Sequence, residues 1–255
     1  MEEKNLVVVK LGGSVVTFKG RPLSPNIEAI NNLATALSSI ESKLLIIHGG
    51  GSFGHFYAKK YNMSKEPSNT SIEGVAMTRD AMLDLNKIIF KALKASGLNC
   101  YTISPSALIE SNGLTDSGLR MINNLFESGM PVLTYGDVVS TNKGFHVLSG
   151  DSITRIISTI LKPERVVFTI DVDGVYDGYS LLRNLSSNTS QLELLNLKFK
   201  TKSTDVTGGM KYKILEASKI SEKGIDVCFV NGLKHEQVVK ALIGDAFLGT
   251  LMRRD

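Results

Sequence analysis

The sequence predicts a three-layer α/β/α sandwich around a mainly parallel central sheet. Three observations carry that expectation. Short β-branched runs alternate with longer amphipathic stretches along the chain. Several runs are apolar on consecutive residues, as strands covered on both faces are. Several of them end in glycine-containing turns, the punctuation of strand–turn–helix units. A chain of 255 residues and 27.7 kDa is long enough for such a unit to bury a substantial core. Its 42% hydrophobic and 21% charged residues exclude disordered, collagenous and coiled-coil classes.

Strands are expected at residues 6–10, 43–47, 99–103, 131–135, 165–170 and 226–230. Between them, residues 25–40 carry Ile27, Ile30, Leu33, Ala34 and Leu37 at helical spacing. Residues 73–96 carry Val75, Met82, Leu85, Ile89 and Leu93, and Gly97 stops that helix. Helices over 152–161 and 210–223 end at Pro163 and Gly224. Residues 137–148, with Asn142-Lys143-Gly144, read as a hairpin, and the polar stretch 177–207 as a loop excursion with one or two short strands. No repeat or linker composition divides the chain, so residues 1–255 are expected to form a single domain.

Composition narrows function. No apolar stretch approaches the roughly 20 residues of a membrane helix. Met1-Glu2-Glu3-Lys4 carries acid where a secretory signal needs basic residues. A cytoplasmic protein follows, with Cys100 and Cys228 as buried free thiols in apolar runs. Lys and Arg number 29 against 25 acids, an excess of +4 without any basic tract, which suits anionic small molecules better than nucleic acid.

The first chemical motif is Val7-Val8-Val9-Lys10-Leu11-Gly12-Gly13-Ser14, a strand running into a glycine turn with a cation at its end, and Lys19 follows. Such a turn lets backbone N–H groups approach an anion; an ordinary turn with one exposed lysine reads the same way. The second is Ile47-His48-Gly49-Gly50-Gly51-Ser52-Phe53-Gly54-His55. It contains G-x-G-x-x-G, but residues 62–73 are polar and irregular where a dinucleotide fold needs its next strand and ribose-binding acid. The third is Ile170-Asp171-Val172-Asp173-Gly174-Val175-Tyr176, whose acids could orient a nucleotide, bind Mg²⁺ or cap a turn. The fourth is Thr207-Gly208-Gly209-Met210-Lys211-Tyr212-Lys213. Lysines in a helix's first turn oppose the helix dipole, and an anion bound there would offset that.

These segments in this order, together with Ser149-Gly150-Asp151, resemble the amino acid kinase superfamily over nearly the whole chain. Within it, Gly49–His55 with Lys10 to Thr17, Lys19 and Tyr135-Gly136-Asp137-Val138-Val139 is most similar to the isopentenyl phosphate kinase family. One departure is visible: Ile170 stands where members carry Thr directly before the Asp-Val-Asp-Gly stretch, with Thr169 one place earlier.

The resemblance implies ATP-dependent phosphorylation of isopentenyl phosphate to isopentenyl diphosphate, in an alternative mevalonate route of isoprenoid biosynthesis. It implies the amino acid kinase fold, an acceptor lobe over 1–163, a nucleotide lobe over 164–255, and a homodimer. Its implied catalytic residues are His55, Lys10, Lys19, Lys213 and Asp151. Acceptor contacts fall on Gly50, Gly54, His55 and Gly150, with Val75, Met82, Leu85, Val139 and Val147 as candidates for an apolar tail slot or as plain core. ATP contacts fall on Lys10, Gly12, Gly13, Ser14, Gly51, Asp171, Asp173, Tyr176, Gly209 and Lys213. No protein-held metal is implied, Mg²⁺ being carried by the ATP phosphates. Two alternatives stay open at this level: a related kinase acting on UMP, fosfomycin or an amino acid, and a non-catalytic nucleotide sensor.

Overall fold

The computed structural model describes residues 5–63, 71–111, 113–177, 180–187 and 209–254. The chain runs β1 (Leu6–Leu11), α1 (Gly13–Val16), α2 (Ile27–Ser38), β2 (Lys43–His48), α3 (Gly51–Lys60), α4 (Ile72–Ala95), β3 (Tyr101–Thr102), α5 (Pro105–Leu108), β4 (Ile109–Glu110), β5 (Gly113–Leu114) and α6 (Asp116–Glu127). It continues through β6 (Val132–Tyr135), β7 (Asp137–Thr141), β8 (Gly144–Leu148), α7 (Gly150–Leu161), β9 (Arg165–Ile170), β10 (Asn184–Ser186), α8 (Gly209–Ser221), β11 (Asp226–Asn231), α9 (His235–Ile243) and β12 (Gly249–Arg253).

Eight strands form one sheet in the order β10-β12-β11-β9-β1-β2-β6-β3. Every neighbouring pair is parallel except β11 with β12. Two-residue alternation splits each central strand between two cores. Val7, Val9 and Leu11 pack with Leu33 and Leu37 of α2, Met82 and Leu85 of α4 and Val238 of α9. Val8, on the opposite face, packs with Ile122 of α6, Ile153 and Ile157 of α7 and Ile214 of α8. Trimming one such buried aliphatic to Ala typically costs about 2–5 kcal/mol. Lys10 shares the alternation of Val8, which sends its side chain toward the α7–α8 layer.

Five expected strands and all four helices are present within a few residues. The strand expected at 99–103 shrinks to Tyr101–Thr102, because it is an edge strand whose first bond to β6 is the Tyr101 amide on the Pro131 carbonyl. The hairpin is present as β7–β8, paired from Asp137–Leu148 to Thr141–Gly144. Of the stretch 177–207, Asn184–Ser186 is one short strand; residues 178–179 and 188–207 lie outside the described residues. Elements that were not expected include α6, α9 and β12, together with α1, α3, α5 and the short pair β4–β5.

Candidate active site

Register places the site. Leu11 of β1 lies beside His48 of β2, so the two glycine turns leave adjacent parallel strands together. They touch: a side chain on Gly13 would collide with the Gly51 backbone. Gly51 has φ +47°, a conformation that favours glycine, and any side chain there would strike Thr17 and the Gly13 carbonyl. The Thr17 hydroxyl donates to the Gly13 carbonyl at 2.7 Å and accepts the Ser52 amide at 2.9 Å, lacing the turns together. Ser14 follows Gly13 in the short helix α1. From the other side, the Gly12 amide donates to the Thr169 hydroxyl at 3.1 Å. Thr169, the neighbour of the anomalous Ile170, thus acts inside the fold, while Ile170 is buried in the second core.

Asp151 sits in the first turn of α7, a helix capped by Ser149, whose hydroxyl accepts the Ser152 amide at 3.0 Å. Asp151 Oδ1 lies 2.8 Å from both Lys10 Nζ and Lys213 Nζ, and Lys213 also reaches Oδ2 at 2.9 Å. All three side chains are largely buried. Burial would raise the Asp151 carboxyl, but Lys10 and then Lys213 outweigh it and hold it below the ordinary carboxylate range. Burial lowers the Lys213 ammonium, with Asp151 opposing and Lys10 reinforcing the shift. Lys213 is fixed by α8, which two further bonds tie to α7: Tyr212 Oη to Ser152 Oγ at 2.7 Å and Arg155 Nε to Glu216 Oε2 at 2.6 Å. Two cations on one carboxylate leave a surplus positive charge in a desolvated place. An anion seated there compensates it.

Gly150 packs against the His48 carbonyl and the Lys10 stem. Gly50 and Gly54 both abut Met82 of α4: a β-carbon on Gly54 would lie 2.8 Å from the Met82 sulfur. His55, next in α3, is exposed beside that cradle. Val75 and Val147 are half-buried and Met82 is buried. Leu85 is fully buried in the first core, and Val139, on the hairpin face opposite Val147, packs in the second. Met82 packs in the first core beside Leu85, and side-chain alternation on the hairpin separates Val139 from Val147.

Around the turn after β9, Lys19 Nζ pairs with Asp171 Oδ2 at 2.9 Å. Asp173 Oδ1 accepts from Asn231 Nδ2 at 2.9 Å and lies 2.7 Å from Lys234 Nζ, contacts that lower its carboxyl, the bond from Lys234 foremost. Tyr176 is half-buried and bridges to Leu181. Gly209 is exposed at the start of α8, while Thr207 and Gly208 fall outside the described residues. Among the described residues no group of three or more His, Cys, Asp or Glu is arranged to hold a metal ion.

Sequence reasoning missed Arg79, Asn86 and Lys234. His48, quoted only as part of its motif, is fully buried; it stacks on Tyr135 at 5.4 Å and bonds Asn86 at 3.3 Å. Burial, chiefly, pulls its imidazole down to about 4. A lone arginine, asparagine or lysine on a helix or loop carries no spacing signal, so only the folded neighbours single these out.

The model of the Amino acid kinase family matches residues 5–231. The chain is 34% identical to an isopentenyl phosphate kinase of Methanothermobacter thermautotrophicus, over 96% of this chain and 98% of that one. It is 32% identical to an isopentenyl phosphate kinase of Arabidopsis thaliana, over 91% and 80%. The crystal structure of the T. acidophilum isopentenyl phosphate kinase product complex superposes with a TM-score of 0.81 at 27% identity, covering 97% of this chain and 100% of that chain. With the triad of Lys10, Asp151 and Lys213 set between glycine turns on parallel strands, and a family match over most of its length, this chain belongs to the amino acid kinase family.

Proposed function

We propose that this protein transfers the γ-phosphoryl group of ATP to isopentenyl phosphate, giving ADP and isopentenyl diphosphate, a step of isoprenoid biosynthesis. The observation that carries the reading is the Lys10–Asp151–Lys213 cluster. Its carboxylate is too acidic, and too fully engaged, to act as a general base. An alcohol acceptor would need such a base; a phosphate monoester brings its own oxyanion. Both of these relatives carry the name isopentenyl phosphate kinase, which fits an acceptor of that kind.

In the reaction an oxygen of the acceptor phosphate attacks the γ-phosphorus, the bond to the β–γ bridging oxygen breaks, and ADP leaves with that electron pair. The main obstacle is repulsion: at an effective dielectric of 20, unit charges 4 Å apart repel by about 4 kcal/mol. Lys10 and Lys213 offset it at the β- and γ-phosphates, and Asp151 holds both ammonium groups in place. Lys19, docked on Asp171, moves to the transferring group. Gly12, Gly13, Ser14 and Gly51 wrap the phosphate tail, Gly209 opens the helix that delivers Lys213, and Asp171, Asp173 and Tyr176 border the nucleoside. His55 donates to the acceptor phosphate, with the Gly50, Gly54 and Gly150 backbone completing the cradle. Val75, Met82 and Val147 take the prenyl tail.

Asp151, Asp171 and Asp173 are each already paired with lysine. These residues therefore fit an Mg²⁺ carried on ATP oxygens better than one caged by the protein, and bound there it neutralises charge on the β- and γ-phosphates. Residues 1–163 form the acceptor lobe and 164–255 the nucleotide lobe, sharing one sheet across the β1–β9 pair. We place the protein in the cytoplasm, which the two buried free cysteines support, and as a homodimer by family likeness, checked by light scattering.

The test is ADP release with isopentenyl phosphate, dimethylallyl phosphate, UMP, fosfomycin and glutamate. We expect kcat/KM for the prenyl phosphates to exceed the others at least tenfold. His55→Ala should lower it about 100-fold, in line with losses of single transition-state donors. Preference for UMP, or turnover of none, overturns the reading; near-wild-type efficiency in both His55→Ala and His55→Gln removes the histidine from the mechanism.

A further inference from the structure

Outside the phosphate-handling groups, one buried charge among the described residues is left without a stated task. Asp137 opens β7 directly after Gly136, and its side chain is fully buried. Oδ1 accepts the Val138 amide at 2.8 Å, while Oδ2 has no hydrogen-bond partner among the described residues. The cation beside it is Arg79 of α4, with Nη2 3.6 Å from Oδ2 and Nη1 donating to the Val138 carbonyl at 3.4 Å. The Tyr135 phenol on β6 also lies within the field of both. The guanidinium therefore grips the root of the hairpin at two points, a side chain and a main-chain carbonyl.

Both ends of this clasp lead to the acceptor site. Arg79 is three residues before Met82, so the two share a helix face, and Met82 is the residue against Gly50 and Gly54. At the other end Asp137 pairs with Leu148, and Val138 pairs with Val147. Leu148 leads straight into Ser149, Gly150 and Asp151, and a β-carbon on Gly136 would lie 2.8 Å from the Gly150 amide. The helix carrying Met82 and the hairpin carrying Val147 are thus joined by a charged strut.

We infer that Arg79 is a positioning residue for the acceptor: by clasping Asp137 and the Val138 carbonyl it fixes the distance between α4 and the β7–β8 hairpin, and so limits the chain length of the prenyl tail admitted. The inference rests on the proposed tail slot between Met82 and Val147. A joint that merely stabilised the fold would lower activity or melting temperature without changing preference among acceptors. Loss of a strut between the two walls relaxes discrimination instead.

The experiment measures kcat and KM for isopentenyl phosphate, geranyl phosphate and ATP in the wild type, Arg79→Ala, Arg79→Lys, Asp137→Asn and Met82→Ala. Expected is a rise of at least fivefold in the geranyl-to-isopentenyl ratio of kcat/KM for Arg79→Ala and Asp137→Asn. The change should lie mainly in the acceptor KM, with the KM for ATP within twofold, and Arg79→Lys should fall between Ala and wild type. An unchanged ratio in Arg79→Ala and Asp137→Asn, with Met82→Ala shifting it, overturns the strut while leaving the slot intact. No shift in Met82→Ala either removes the slot itself. Wild-type protein inactive on both prenyl phosphates overturns the functional reading beneath it. Should Arg79→Ala fail to fold, Arg79→Lys and Asp137→Asn decide by the same ratio.

Discussion

His48 and Asp137 are single residues whose burial sets opposed pH responses. His48 titrates near 4 in the folded protein because burial disfavours its cation, whereas a free imidazole titrates near 6.5. The unfolded chain therefore binds that proton first, and stability falls as pH drops from about 6.5 toward 4, by about 3 kcal/mol in all. Asp137 is raised to about 6, by burial first, with Arg79 and the Val138 amide pulling the other way. Its ionisation penalises the folded state, so stability falls as pH rises from about 4 through 6, again by about 3 kcal/mol. The two terms nearly cancel across pH 4–6. Asp137→Asn should therefore raise stability at pH 7.5 and expose the His48 term as a steeper loss on acidification. Urea unfolding at pH 4.5 and 7.5 measures both; an unchanged pH slope sinks the account. At this scale the sequence displayed Lys10, Asp151 and Lys213 in recognisable motifs, since each stands within four residues of a glycine that starts its element or directly follows it. It gave no sign of Arg79 or of the work of Thr169, because a side chain's partner 58 or 157 positions away leaves no local pattern.

Among elements, α7 and α8 matter most, because they carry the carboxylate and one of its two lysines. Two bonds hold them together apart from the triad, Tyr212 to Ser152 and Arg155 to Glu216. Losing one such partly buried bond costs about 1 kcal/mol or somewhat more. Tyr212→Phe should thus lower kcat about three- to tenfold through misplacement of Lys213, with the KM for acceptor little changed. Steady-state kinetics on this variant checks it, and a change confined to the acceptor KM counts against the role. The strands and long helices were legible because burial on two faces, or on one stripe, writes itself into the residue order. Helix α6 was not: Asn123, Asn124 and Gly118 give it a loop-like composition, although Thr115 caps it and Ile122 and Phe126 anchor it. Helix α9 spans only His235–Ile243, too short for a periodicity to declare itself. Strand β12 is held by pairing antiparallel to β11, a long-range choice that its own residues do not specify.

For the whole molecule, the controlling feature is a buried surplus of positive charge at the meeting of the two halves of the sheet. Lys10 comes from β1, Asp151 from α7 and Lys213 from α8, so the cluster exists only when all three are assembled. A nucleotide that relieves this charge must stabilise the entire fold. At 100 times its Kd, ATP or a non-hydrolysable analogue should add about 2.7 kcal/mol, a rise of roughly 5 °C in melting temperature. Lys213→Ala should lose most of that rise in differential scanning fluorimetry, and an undiminished rise would show that the triad does not bind the phosphates.

Residue order alone settled the layered α/β architecture, the glycine turns and the identity of the charged groups beside them, since periodicity and turn chemistry act between near neighbours. Which of those charges meet was decided only when the strands paired: parallel register brought two distant turns side by side, and helix packing set one carboxylate between two lysines. The same packing buried His48 and clasped Asp137 with Arg79. Desolvation and charge pairing depend on what surrounds a group in space, and that is a property of the assembled core.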